Sequence, residues 1–200
     1  MLIDGPAGNL EAQWDETSDA KGTAILCHPH PLFGGSMHDG ILQIASSVFN
    51  QCGISCLRFN FRGVGNSTGE HDKGRGEVED LGAVMTWLAR EKPDHKPWLM
   101  GYSFGANVVW QTLPGFSKEQ LSGVLLIAPP VGRMNFSDNE SLPTSVSAIA
   151  GDCDDFVDET AFRNWSGVDT QIIAGADHFF SGASTELGSL IRGVLEQKAD

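Results

Sequence analysis

The chain contains 200 residues and carries a formal net charge of −13, with 40% hydrophobic and 20% charged residues. This length predicts a single domain, residues 1–200, with enough chain to bury a layered core. The acidic excess repels phosphate backbones and anionic lipid, so we expect neither nucleic-acid nor membrane partners.

The sequence also bears on where the protein resides. No segment approaches the roughly 20 apolar residues of a membrane-spanning helix, and the first residues lack a basic patch followed by an apolar run. The four cysteines form no CxxC pair and no metal-type spacing, which is typical of small buried residues in a reducing compartment. We therefore expect a cytoplasmic protein.

Strand-like runs alternate with helical ones along the chain, which predicts a three-layer α/β/α sandwich with a mostly parallel central sheet. The first strand is expected in NLEAQWDE, where Leu10, Ala12 and Trp14 alternate with polar residues. Further strands are predicted at residues 22–29, 54–60, 97–102, 121–129, 144–151 and 168–175.

Four apolar stripes at helical spacing predict the helices that cover the sheet. The first stripe runs from Met37 to Val48, with Ser36 as its N-cap and Gly53 past its end. The others lie at residues 78–88, 104–113 and 187–195. The segment PPVGRMNFSDNESLP alone separates two predicted strands where a cap domain would be inserted, so we expect no cap domain.

Two segments match the pattern G-x-S-x-G, and their contexts differ. Gly101-Tyr102-Ser103-Phe104-Gly105 follows the apolar strand PWLMGY and opens a helix, as a nucleophile elbow requires. The match at residues 65–69, centred on Ser67, precedes a glycine-rich polar loop with no helical stripe. Structural context therefore selects Ser103 as the nucleophile and leaves Ser67 without a catalytic role.

A serine nucleophile needs a general base and a carboxylate that orients the base. Among the six histidines, His178 alone follows both the serine and an acidic cluster, in the chain order Ser, acid, His. The acid is expected in GDCDDFV, where Asp152, Asp154 and Asp155 compete.

Acyl transfer also needs two N–H donors for the oxyanion. One is expected to be the backbone N–H of Phe104, at the start of a helix. The other is expected in CHPHPLFGG, where Pro29 and Pro31 carry no N–H, which leaves His30 or Leu32. The histidines of this segment have no third ligand at suitable spacing, so we expect no metal.

The segments HPHPLFGGSMHDG, GYSFGA, GDCDDFV and GADHFF resemble the α/β-hydrolase superfamily, in particular a compact, lidless bacterial branch near dienelactone-hydrolase-like and serine-aminopeptidase-like hydrolases. The resemblance implies His30 as the second oxyanion donor, by similarity to a His-Gly-X-Pro loop. It also implies Asp154 as the acid, because Gly151, Asp154 and Val157 fit a G-x-x-D-x-x-V pattern.

These residues together predict a serine carboxylesterase that cleaves small, short-acyl esters and needs no cofactor. Leu32, Phe33 and Phe179, with Phe104 and Phe180, are expected to line a short apolar pocket. The alternatives are a thioesterase or a peptidase of the same fold, or a non-catalytic binding protein that kept the fold.

Overall fold

A computed structural model describes residues 1–117, 120–136 and 142–197 of the chain. Within these ranges eight strands form one sheet in the order β1-β2-β4-β3-β5-β6-β7-β8. Their bounds are β1 Leu2–Gly5, β2 Gly8–Asp15, β3 Gly22–Cys27, β4 Ile54–Phe59, β5 Pro97–Tyr102, β6 Gly123–Ile127, β7 Val146–Gly151 and β8 Val168–Ile173.

The sheet is parallel from β4 to β8, while β1 and β2 are joined antiparallel at one edge. Its register aligns the carboxyl ends of the parallel strands, with Cys27 opposite Gly101 and Tyr102 opposite Ile127. Loops that leave these ends therefore converge on the same edge of the sheet, where ligands bind in open α/β folds.

In the described part of the chain, five helices cover the two faces of the sheet, α1 Gly40–Gln51, α2 Arg75–Glu91, α3 Phe104–Thr112, α4 Glu159–Arg163 and α5 Ser184–Glu196. Buried side chains of α1 and α5 pack on one face, and those of α2, α3 and α4 pack on the other. Strands covered on both faces are buried along their whole length, as β5 is. The predicted three-layer α/β/α sandwich is thus confirmed.

Two local predictions about the first helix are wrong. Asp39, rather than Ser36, is the N-cap of α1, and its carboxylate accepts a hydrogen bond of 2.8 Å from the N–H of Ile41. Met37 lies before the helix, because its N–H donates to the side chain of Asn60 and its carbonyl accepts from Arg58. Two short elements, β1 and α4, were not predicted from the sequence.

The chain between β6 and β7 spans residues 128–145, of which 137–141 lie outside the described ranges. This connection is too short for a cap domain, as expected from the sequence. Nor does any helix in the described part of the chain have the length and apolar character needed to cross a bilayer.

Candidate active site

Ser103 lies at the sharp turn between β5 and α3, with φ of 54° and ψ of −115°. A non-glycine residue at positive φ is strained by about 1–3 kcal/mol, and such strain occurs where the surrounding structure holds a side chain for function. The Ser103 N–H donates to the carbonyl of Ile127 on β6, at 2.9 Å, which anchors the turn to the sheet.

The two glycines of the elbow provide space for this turn. A Cβ on Gly101 would lie 2.4 Å from the carbonyl oxygen of Gly105. A Cβ on Gly105 would lie 2.3 Å from the carbonyl oxygen of Cys27 at the end of β3. Both separations are too short for any side chain, so the strand and helix can approach this closely only with glycine at the two positions.

The Ser103 hydroxyl lies within hydrogen-bond distance of a buried histidine, which in turn bonds to a buried carboxylate. Ser103 Oγ is 2.9 Å from His178 Nε2, and His178 Nδ1 is 2.7 Å from Asp154 Oδ2. Because a carboxylate accepts hydrogen bonds, the imidazole proton is on Nδ1 and Nε2 is free to accept the hydroxyl proton. The structure therefore brings together the three residues selected from the sequence.

The carboxylate of Asp154 is itself held in place, since its Oδ1 accepts a hydrogen bond of 2.8 Å from the N–H of Phe156. Its competitors lie differently. Asp152 and Asp155 are exposed, and Asp152 Oδ1 accepts from the N–H of Gly175. Of the three acidic residues, Asp154 is thus the one in contact with His178.

The loop after β3 carries the predicted second oxyanion donor. His28, at its start, is buried, and its ring bonds to the carbonyl of Pro29 and to the N–H of Phe61. Burial lowers the pKa of His28 to about 4, against smaller opposing effects of Pro29 and Glu77. His28 is therefore neutral and has both ring nitrogens occupied, which leaves it no nitrogen for a metal.

His30 and Leu32 were both possible donors in this loop. The Leu32 N–H donates to His30 Nδ1 at 3.2 Å, which caps the start of the 3₁₀ turn Pro31–Phe33. Neither His30 nor Phe104 donates its backbone N–H to an acceptor within residues 1–117, 120–136 and 142–197. These two N–H groups are therefore available to a ligand beside Ser103.

A cavity of about 410 Å³ opens beside Ser103 and His178, and its wall includes His30, Phe33 and Phe104. Phe179 also lines it, 65% exposed, at the mouth. The wall is mostly apolar, as in many small-molecule sites.

Two residues expected in this pocket lie elsewhere. Leu32 is 70% exposed and lies outside the cavity wall, because successive side chains in a 3₁₀ turn point about 120° apart and Phe33 is the one directed to the cavity. Phe180 is fully buried in the core between the sheet, α1 and α5. The predictions for Leu32 and Phe180 are therefore wrong.

The cavity wall also contains residues that the sequence analysis missed. Arg133 and Met134 come from the loop after β6, Asp39 from the cap of α1, and Tyr102 and Phe156 from positions next to Ser103 and Asp154. Of these residues, only Tyr102 and Phe156 could have been found from the sequence, because they lie within the G-x-S-x-G and G-x-x-D-x-x-V patterns. Among the described residues, no group of three or more His, Cys, Asp or Glu side chains is arranged to hold a metal ion.

A family model and a solved structure that match this chain both indicate the same family. The family model described as "alpha/beta hydrolase fold" matches residues 32–180. A structure from Xanthomonas campestris, described as an α/β serine hydrolase without lid, is 33% identical with a TM-score of 0.90, covering 98% of this chain and 93% of that one.

Two further relatives are similar over nearly the whole chain. An α/β serine hydrolase homologue from Coxiella burnetii is 35% identical with a TM-score of 0.90, covering 98% of this chain and 96% of that one. An uncharacterized protein from Rickettsia prowazekii is 33% identical, covering 98% of this chain and 87% of that protein.

Proposed function

Because the chain belongs to the α/β-hydrolase family, we propose that it is a serine carboxylesterase that cleaves small, short-acyl esters through an acyl-enzyme. The proposal rests above all on one observation, the hydrogen-bonded series Ser103, His178 and Asp154 at the wall of an apolar cavity. A hydroxyl that faces an unprotonated imidazole nitrogen at 2.9 Å is placed for deprotonation as it attacks a carbonyl carbon.

In the acylation step Ser103 Oγ bonds to the ester carbonyl carbon while His178 Nε2 takes the hydroxyl proton. The carbonyl π electrons move to oxygen, and the N–H groups of His30 and Phe104 stabilise that oxyanion. Asp154 stabilises the imidazolium through the bond at Nδ1. Collapse of the tetrahedral intermediate breaks the C–O bond, and the leaving alkoxide takes the proton from His178.

In the deacylation step a water molecule enters where the alcohol has left. His178 takes one proton from the water, whose oxygen bonds to the acyl carbon. The second tetrahedral intermediate releases the carboxylic acid, and Ser103 Oγ recovers the proton from His178. Apart from water, every group that the cycle requires is supplied by the chain, so the cycle needs no cofactor.

The shape of the site supports a small acyl group. Each methylene buried away from water contributes about 0.8 kcal/mol, and this gain ends where the apolar wall ends. Phe33 and Phe179 are 87% and 65% exposed, so a long acyl chain passing them would remain largely in water. We therefore expect the highest specificity for acyl chains of roughly two to six carbons.

The test combines covalent labelling with a substrate series. A fluorophosphonate probe should label the wild-type protein and the Ser67→Ala variant but leave the Ser103→Ala variant unlabelled. Each p-nitrophenyl ester, from acetate to palmitate, is assayed below its critical micelle concentration. Across this series kcat/KM should be highest for the short acyl chains. Labelling at Ser67, or a value of kcat/KM still rising at decanoate, would contradict the proposal.

A thioester and an aminoacyl amide with the same acyl group belong in the same assay. If the chain is a carboxylesterase, the oxygen ester should have the highest kcat/KM of the three. A higher value for the thioester or the amide would replace the ester as the substrate class, while leaving the roles of Ser103 and His178 intact.

A further inference from the structure

Another histidine–carboxylate pair lies close to the loop after β3, which carries His30, and has no part in the mechanism above. His71 Nδ1 is 2.7 Å from Glu77 Oε1, and the Glu77 side chain is fully buried. Both residues lie outside the wall of the cavity. Burying a carboxylate is costly, so a buried pair next to a reaction centre calls for an explanation.

Glu77 is fixed from several sides. Besides His71 it accepts hydrogen bonds from the N–H of Asp72 at 3.0 Å and from the N–H of Gly74 at 2.8 Å, at the start of α2. The bond from the N–H of Gly74, the N-cap of α2, is the one that caps the helix, and it does not involve His71. The bond to His71 has a separate effect, because it fixes the orientation of the imidazole ring.

The ring of His71 contacts the two residues whose backbone N–H groups form the proposed oxyanion hole. Its centroid lies 4.8 Å from that of His30 and 5.5 Å from that of Phe104. The rings of His30 and Phe104 also contact each other, at 4.9 Å. These three rings (His30, His71 and Phe104), which we call the ring cluster, therefore connect the start of α2 to both donors.

The loop around His30 transmits the position of its ring to its backbone. The ring accepts the N–H of Leu32, which caps the start of the following turn, and Pro29 and Pro31 restrict the backbone on either side. Because the residue is tied at both ring and backbone, a shift of the His30 ring displaces the N–H group too. A misplacement of about 1 Å in an active site can cost 100-fold in rate.

The geometry points to His71, oriented by Glu77, as a positioning residue that holds the His30 and Phe104 N–H groups at the oxyanion site. This inference rests on the proposed function and extends it, since it assigns a role to residues that touch neither substrate nor reacting atoms. A residue with this role acts on the transition state rather than on substrate binding, so it should change kcat and leave KM unaltered.

The test compares His71→Ala with His71→Phe, which keeps a flat ring in the ring cluster. For a short p-nitrophenyl ester, His71→Ala should lower kcat by about 10- to 100-fold, less than the loss of a whole oxyanion donor, with KM within about twofold. His71→Phe keeps the ring but cannot bond to Glu77, so it should recover part of kcat and fall short of the wild type. An alkyl boronic acid, whose adduct with Ser103 places a hydroxyl in the oxyanion site, should lose affinity in parallel with kcat.

The matched control is His38→Ala, because His38 is exposed and lies outside the cavity wall. It should match the wild type in kcat, KM and boronic acid affinity. A His71→Ala protein with wild-type kcat, or with kcat and KM changed together and boronic acid affinity intact, would overturn the inference alone. A wild-type protein that hydrolyses none of the esters would overturn the proposed function, and this inference with it.

Discussion

Ser103 and Ser67 occupy the middle of the same five-residue pattern, but they lie in opposite environments. The Ser103 hydroxyl faces the cavity and contacts His178. The Ser67 hydroxyl is buried, donating to the carbonyl of Asn60 at 2.7 Å and accepting from the N–H of Glu11 at 2.9 Å. One hydroxyl is available for chemistry, while the other joins β2 to the loop after β4.

The glycines of the two segments also have different purposes. In the loop, Gly65 and Gly69 adopt positive φ values of 56° and 86°, so glycine supplies a turn conformation there. In the elbow the serine itself has positive φ, and Gly101 and Gly105 supply space. The same G-x-S-x-G pattern therefore meets a different physical requirement in each segment. Only the strand and helix that flank Ser103 distinguish the two cases in the sequence.

The largest expected effect is that of Ser103→Ala. Removing the nucleophile of a serine hydrolase costs about 10⁶-fold in kcat, and we expect a loss of that order for short p-nitrophenyl esters. The melting temperature should stay near the wild-type value, because among the described residues the hydroxyl bonds to His178 alone. A residual kcat within tenfold of the wild type would end the distinction between the two serines.

Asp154→Asn should produce the next largest effect. An asparagine cannot stabilise the imidazolium and favours the wrong histidine tautomer, which costs about 10⁴-fold in kcat in a related arrangement. Asp152→Asn is the matched control, since Asp152 is exposed and contacts Gly175 instead of His178. Measured with one ester, kcat should be much lower for Asp154→Asn than for Asp152→Asn. The reverse ranking would assign the acid to Asp152.

His28 connects the two regions, since it begins the loop that carries the proposed oxyanion donor and bonds to Phe61, next to the Asn60 that Ser67 contacts. Its pKa of about 4 in the folded protein lies below the ordinary value of 6.5, because burial opposes the charged ring. The unfolded chain therefore binds the proton more strongly. The free energy of unfolding should fall by about 3 kcal/mol as the pH drops from 6.5 to 4, with no such loss above 6.5.

Urea unfolding at several pH values measures this loss. His28→Gln removes the titrating ring, so its free energy of unfolding should depend less steeply on pH between 6.5 and 4 than that of the wild type. His38→Gln, which alters an exposed histidine, should follow the wild-type curve. Coincident pH dependence for the wild type and His28→Gln would show that His28 is not buried in the neutral form.

The smallest expected effect is that of Ser67→Ala. Loss of its two hydrogen bonds leaves a buried carbonyl and a partly buried N–H without this partner, at a cost of about 1–3 kcal/mol in the free energy of unfolding. Its kcat should remain within about twofold of the wild type at 25 °C. Urea unfolding and ester hydrolysis, measured on one preparation, give the free energy of unfolding and kcat independently. An unchanged free energy of unfolding would contradict the structural role given to Ser67.

The fold was largely predictable because buried parallel strands leave long apolar runs. The strand predicted at residues 97–102 coincides with β5, and each of the other predicted strands runs one or two residues past the observed strand at one or both ends. β1 and α4 are short, with four and five residues, and neither has enough length for a periodic pattern to appear.

The site was predictable to the extent that its chemistry fixes residue type and chain order. Ser103, Asp154 and His178 carry such constraints, and they lie together in the structure. The loop after β6, which also contributes to the cavity wall, carries none. Arg133 and Met134 line the same cavity as Ser103, a placement that no local sequence pattern encodes.

Tyr102 gives the protein a natural spectroscopic probe. The chain contains a single tyrosine, which precedes Ser103 and donates its hydroxyl to the carbonyl of His178 at 3.1 Å. Burial and nearby carboxylates raise the pKa of this phenol, so the ring remains un-ionised at alkaline pH. Fluorotyrosine incorporated during growth would therefore give one fluorine resonance, reporting the position of the histidine loop at each stage of turnover without any engineered residue.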